Sequence, residues 1–187
     1  YLMGLREKWI GVFYKAATSS IQIRTPLTLV GGLLFATLVG IFVALPLWLD
    51  RLLGFPRIFS TSFSIAVSVP ILALGLSLML WSILHFIKVR GTPVPFSPPS
   101  KLVTTGPYAH ARNPMLTGLF IFLLGLGILF GSISLIFIFT PLFVLLSVLE
   151  LRAIEEPELE KRLGTEYIEY KKRTPMFIPR LKGGDDV

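Results

Sequence analysis

Three long stretches of the chain carry no ionisable side chain: Pro26 to Leu49, Ile58 to Leu84 and Met115 to Leu149. An uncharged, mostly apolar run of roughly 18 residues or more is a membrane-span candidate, because a helix of about 20 residues crosses the hydrocarbon core. The first span is predicted over Leu27 to Leu49, where Gly31, Gly32 and Gly40 would admit a close neighbouring helix. Asp50 and Arg51 mark its exit. The second is predicted over Ser60 to Phe86, with Pro70 inside it and His85 capping its end. The third run is 35 residues long. As one helix it would measure about 52 Å, against a hydrocarbon core of about 30 Å. It must therefore fold back, and Gly131-Ser132 is the predicted turn, flanked by Gly127 and Ser134. Gly127 and Gly131 form a GxxxG pair, read here as serving the hairpin rather than a dimer. The expected fold class is an all-α integral membrane protein with about four transmembrane helices, including a helical hairpin in the C-terminal half.

Charge supports this count. Residues 1–25, 88–114 and 150–187 hold 16 of the 18 Lys and Arg. The segment near 50–57 holds the remaining 2, and the hairpin tip none. Basic residues collect on the cytoplasmic side, so four crossings with both termini cytoplasmic are predicted. The net charge of +7 is thus topological, and no nucleic-acid partner is expected. Composition agrees: 53% of residues are apolar and 16% charged, where soluble domains carry about 25% charged residues. The absence of cysteine removes disulfides, thiolate metal sites and a cysteine nucleophile; no metal is expected. Residues 1–25 mix Trp9, Phe13 and Tyr14 with bases, and fit either a helix lying on the membrane surface or a solvated arm. They lack the compact apolar core and small-residue cleavage site of a signal peptide.

Chemistry has few places to reside. No ionisable group lies at the expected bilayer midplane, where transporters place theirs. Polar groups gather instead in a proline-rich loop, residues 91–114, and in the charged tail, residues 150–187. The loop offers Tyr108, His110, Arg112 and Asn113; the tail offers Glu150, Glu155, Glu156 and two tyrosines. Carboxylates can hold an ammonium group or hydroxyls, while Arg and backbone N–H groups can hold a carboxylate. The pair suits a small zwitterionic, cationic ligand. The chain divides into residues 1–90, an interfacial segment with two membrane helices, and residues 91–187, the chemical core. Glu158, Glu160, Glu166 and Glu169 read as a solvated helix face paired with nearby Lys and Arg.

The order of these pieces is distinctive. Lys101-Leu102-Val103-Thr104-Thr105-Gly106-Pro107-Tyr108 is followed by Arg112-Asn113-Pro114-Met115, the hairpin, Glu155-Glu156, Leu163-Gly164-Thr165-Glu166-Tyr167, Tyr170 and Pro179. Over residues 90 to 180 this resembles the isoprenylcysteine carboxyl methyltransferases and the related membrane phospholipid methyltransferases. The resemblance implies S-adenosyl-L-methionine as cofactor and a pocket at the cytoplasmic face. It places Lys101, Leu102 and Val103 along that pocket, Tyr108 against the cofactor, Asn113 and Pro114 at its methionine end or adenosine, and Glu155 with Glu156 as its carboxylates. Arg112, His110 and Arg152 are the candidates on the reacting side. Two positions depart from the pattern. Leu116 stands where many members have tyrosine, and Leu151 where the carboxyl methyltransferases have a substrate-binding arginine, with Arg152 one residue off and about 100° around a helix.

The function expected is methyl transfer to a lipophilic acceptor, either an isoprenylcysteine-like carboxylate or a phospholipid amine, with membrane lipids as surroundings. Two alternatives stand beside it: a membrane reductase of sterol-reductase type using NADPH, and an inactive scaffold that retains the pocket.

Overall fold

A computed structural model of the chain describes residues 2–88 and 102–178. Lys101 and Pro179, both named above, lie outside the described residues. The described chain runs α1 (Leu2–Thr18), α2 (Ile21–Leu52), α3 (Thr61–Lys88), a 3₁₀ turn (Gly106–Ala109), α4 (Pro114–Phe130), α5 (Leu135–Leu163) and α6 (Thr165–Arg173). No strand occurs among the described residues. Helices α2, α3 and α5 are long and apolar enough to cross a membrane, and α4 is a shorter apolar helix of 17 residues. The chain is an integral membrane protein.

The helices outrun the predicted spans. Helix α2 starts at Ile21 rather than Leu27 and continues through Pro26 and Pro46 to Leu52. The apolar run marks the part that can sit in lipid, whereas the hydrogen-bond ladder continues past it. Helix α5 likewise passes from apolar sequence into the charged tail without a break, carrying π-turns at Leu135–Phe139 and Leu151–Glu155. Residues Leu2–Thr18 of the N-terminal segment form a helix. Helix α1 packs against the polar end of α5, where Lys161 Nζ lies 4.7 Å from the centre of the Tyr14 ring.

The tightest contact in the bundle is between α3 and α4, and glycines set it. A Cβ added at Gly75 would lie 2.7 Å from the Gly118 carbonyl oxygen, and one at Gly118 would lie 2.7 Å from the Gly75 oxygen. Backbone thus meets backbone, the arrangement small residues allow between membrane helices. Gly125 continues the line against Leu72. The expectation had assigned such contacts to α2, yet a Cβ at Gly32 or Gly40 would meet nothing within 4 Å. Glycine spacing alone cannot tell a contact from an open face. Neither backbone can yield at the crossing, so Gly118→Ala should destabilise the protein by about 1–3 kcal/mol, as overpacking does. The same change at Gly40 should leave Tm unmoved; thermal melts in detergent compare the two.

Beside this crossing, Leu119, Leu123 and Phe143 form the apolar core. The Phe143 ring meets Phe42 of α2 edge-on at 5.0 Å and Phe120 of α4 at 6.1 Å, so one residue ties α2, α4 and α5 together.

The hairpin turns where the sequence predicts. Gly131 takes the left-handed conformation (φ 62°) that ends α4, and Gly127 packs against Ile136 across the turn. Two side chains from elsewhere fasten this tip. Asp50 accepts a short hydrogen bond from the Ser132 hydroxyl and another, 3.2 Å, from the Ser134 N–H. Arg57 Nη2 donates to the Leu129 carbonyl at 3.1 Å. The anion therefore sits at the N-terminal end of one helix and the cation at the C-terminal end of the other, each complementing the local helix dipole. Asp50→Ala leaves two donors unmatched and should cost about 1–3 kcal/mol. Asp50→Asn should retain part of that, as read by Tm.

Candidate functional site

At the other end of the bundle, the loop of residues 102–113 is pinned from three sides. His85 at the end of α3 shares a 2.8 Å hydrogen bond between Nε2 and Thr105 Oγ1. Gly106 has φ +60° and lies so close to the His85 ring that a Cβ there would come within 2.7 Å of Nδ1. His85 thus holds the loop as well as ending its helix. Tyr108, at the 3₁₀ turn, is buried with its ring edge-on to Phe86 at 4.8 Å. The Tyr170 hydroxyl donates to the Tyr108 carbonyl at 2.6 Å, bringing α6 onto the loop.

Arg112 is the hub of the third fastening. Its Nη1 donates to the carbonyls of Lys171 and Thr174, each at 2.8 Å, and Nη2 reaches Glu156 Oε1 at 2.6 Å. Glu156 Oε2 in turn takes Lys171 Nζ at 2.6 Å. The Arg112 and Glu156 side chains are 10% and 4% exposed, so this is a buried, fully engaged pair. Within this pair, Arg112 Nε is buried without a hydrogen-bond partner. The backbone follows the same line: the N–H groups of Arg112 and Asn113 donate to the Pro175 and Met176 carbonyls at 2.8 and 3.0 Å. Asn113 occupies the N-cap position of α4 without a side-chain cap bond, and Pro114 fills the first turn, where the missing N–H costs nothing.

Beside these fastenings lies a partly open cavity of about 450 Å³. One end of its wall is polar, made by Tyr108, Arg112, Asn113, Glu150 and Glu155. The rest is apolar: Phe35, Leu38 and Phe42 of α2 face Phe143 and Leu146 of α5, with Gly31 and Gly32 leaving room where α2 would otherwise place side chains. Burial pushes the Tyr108 phenol well above its usual range, and the neighbouring Tyr170 and Glu155 push the same way. Burial also raises Tyr167, and takes Tyr170 up to about 12. All three remain neutral hydroxyls at physiological pH. Lys171 is raised chiefly by its hydrogen bond to Glu156 and stays charged.

Of the residues singled out from sequence, Tyr108, Arg112, Asn113 and Glu155 come together on the cavity wall. Leu102 and Val103 are half-buried in the loop, and Pro114 is buried at the start of α4, none of them on that wall. His110 and Arg152 are exposed and do not line it. Glu156 is buried behind it, in the ion pair with Arg112. Leu116, noted as a departure from the family pattern, does line it. Three contributions escaped the sequence reading. Phe13 of α1 and the α2 face come from the half assigned to membrane anchoring, and Phe86 from the end of α3. Glu150, named from the sequence among the polar groups of the tail, lines the cavity as well. Among the described residues no cluster of three or more His, Asp or Glu could hold a metal ion.

Comparison with known proteins places this architecture. No solved structure matches the chain. A curated relative, the nickel-cobalt-cadmium resistance protein NccN of Alcaligenes xylosoxydans xylosoxydans, is 39% identical over 82 residues, covering 44% of this chain and 38% of that protein. The chain therefore spans well under half the length of this relative. The phospholipid methyltransferase family model matches residues 63–166, which run from the start of α3 through the loop, the hairpin and the polar end of α5. With more than half of its length inside that match, the chain belongs to the phospholipid methyltransferase family.

Proposed function

We propose that the protein is an S-adenosylmethionine-dependent methyltransferase acting on a lipophilic acceptor at the cytoplasmic membrane face. One observation carries the reading: a single cavity joins a polar end to an apolar chamber inside a membrane bundle. A water-soluble donor and a lipid-soluble acceptor need that combination to meet. The face follows from the concentration of Lys and Arg at the loop end of the bundle.

The polar wall fits the donor. Glu155 supplies a carboxylate for its ammonium group or ribose hydroxyls, and Asn113 a side-chain amide. Arg112 Nε, buried without a partner, is a donor available to the ligand's carboxylate. The Tyr108 ring supplies an apolar surface with a neutral hydroxyl. When bound, the cofactor supplies an already activated methyl group, so the protein's work is to position and to exclude water. Such positioning contributes up to about 7–11 kcal/mol in well-oriented systems. The Arg112–Glu156–Lys171 network holds the loop against α6 and α5 and keeps the wall in place. His110 and Arg152, exposed and off the wall, have no part in this reading.

The test is transfer of labelled methyl from S-adenosylmethionine, by purified protein, into a lipid extract, with the organic phase counted. A labelled lipid band is the expected result, and release of the label as methanol in base would identify a carboxyl ester. Cofactor binding without transfer to any lipid fraction would identify the inactive scaffold. Absence of cofactor binding would overturn the reading in favour of the reductase.

A further inference from the structure

The π-turn in α5 has a consequence for the cavity. In an α-helix, residues five apart are separated by about 500°, leaving them roughly 140° apart around the axis. Glu150 and Glu155 would then point to different sides. Between them, however, the Glu156 N–H bonds back to the Leu151 carbonyl, five residues earlier. A turn closed by such i→i+5 bonds brings positions five apart into line. Both carboxylates accordingly reach the same cavity wall.

They do not reach the same part of it. Glu155 lies toward the loop end with Asn113 and Arg112, whereas Glu150 lies one turn deeper, next to Ser147 and Leu146, where the polar end meets the apolar chamber. Glu150 forms no ion pair with any described residue. The cation on the wall, Arg112, is matched by Glu156 and two carbonyls, and its Nε is buried without a hydrogen-bond partner. Among the described residues, a ligand group at the junction therefore meets a carboxyl group that has no ion-pair partner, while the cation on the wall, Arg112, is already engaged. An anion placed there would be desolvated beside an acidic group and without a described cation to match it, which is unfavourable on both counts. A protonated amine would be matched, and its alkyl chain would lie along the apolar wall that Phe35, Phe42 and Phe143 help to form.

We propose that Glu150 is the acceptor-side specificity residue, and that the acceptor is a lipophilic amine with no anionic group beside its nitrogen. This rests on the methyltransferase reading for what the second half of the site binds, but makes its own claim about the acceptor. A carboxylate acceptor and an ethanolamine phosphodiester, with its phosphate two carbons from the nitrogen, are both disfavoured at the junction.

The experiment is titration calorimetry on the full chain in neutral detergent, with dodecylamine, dodecanol, dodecanoate and lysophosphatidylethanolamine as probes. The expected order places dodecylamine first. Glu150→Gln should weaken it about tenfold or more, the scale of one hydrogen bond to a charged group. Glu150→Asp should restore part of the loss. Glu169→Gln, which removes an exposed charge on α6, should change nothing and so controls for general attraction of amines. S-adenosylmethionine affinity should survive Glu150→Gln. If the variant weakens the cofactor instead of the amine, Glu150 belongs to the donor and the inference is wrong. Equal binding of lysophosphatidylethanolamine and dodecylamine, or tighter binding of dodecanoate, would also overturn it. Failure of the wild-type chain to bind S-adenosylmethionine would remove the methyltransferase reading and leave the amine preference to be judged by its own titrations.

Discussion

Glu155→Gln is expected to raise the dissociation constant for S-adenosylmethionine by about 10- to 150-fold while leaving the fold intact. The range corresponds to roughly 1.5–3 kcal/mol for a hydrogen bond to a charged group. The side chain lines the cavity and makes no ion pair with a described residue, so it is free to meet a ligand rather than committed to the protein. Glu156→Gln, one residue on, should behave in the opposite way. That carboxylate is 4% exposed and holds both Arg112 and Lys171. Its loss should lower Tm and alter cofactor affinity only in proportion to the unfolded fraction. Calorimetric titration and thermal melting of the two variants together decide the matter. Wild-type affinity in Glu155→Gln would remove Glu155 from the site.

Arg112→Ala is expected to destabilise the protein by about 3–5 kcal/mol, the usual cost of removing one partner of a buried ion pair. Its guanidinium satisfies two main-chain carbonyls as well as Glu156, and the alanine variant strands both carbonyls and leaves Glu156 with Lys171 alone. Arg112→Lys should recover little. An ammonium group is a point charge and cannot reproduce the planar fork that reaches carbonyls and carboxylate at once. The measurement is detergent-solubilised unfolding followed by circular dichroism. A loss below about 1 kcal/mol would mean that water replaces these bonds and that the network is not buried.

Long features of the fold were legible because they rest on long signals. Three uncharged runs predicted the membrane helices, and a 35-residue run too long for one crossing predicted the hairpin and its glycine turn. The order of Tyr108, Arg112-Asn113 and Glu155 predicted that loop and tail would meet, and they share one wall. What escaped was direction. Neighbouring glutamates on a charged helix look equivalent in sequence, yet Glu155 faces the cavity and Glu156 the ion pair. Arg112 read as a reacting group because a lone arginine among polar residues carries no sign of its partners, which lie 44 to 62 residues away. The glycines of α2 and α3 are alike in spacing, and only packing distinguishes an open face from a backbone crossing.

The π-turn at Leu151–Glu155 also bears on how relatives of this chain are to be compared. A π-turn holds one more residue than the α-turn it replaces, and such turns arise as single insertions within a helix. Counting residues across it in a relative whose helix is regular shifts every later position by one and rotates it by about 100°. Leu151 and Arg152, one place apart at the position where related enzymes carry an arginine, fall inside this stretch. Equivalence there has to be established by superposing helices in space, with a one-residue gap permitted inside the helix, rather than by an ungapped count outward from the glutamate pair.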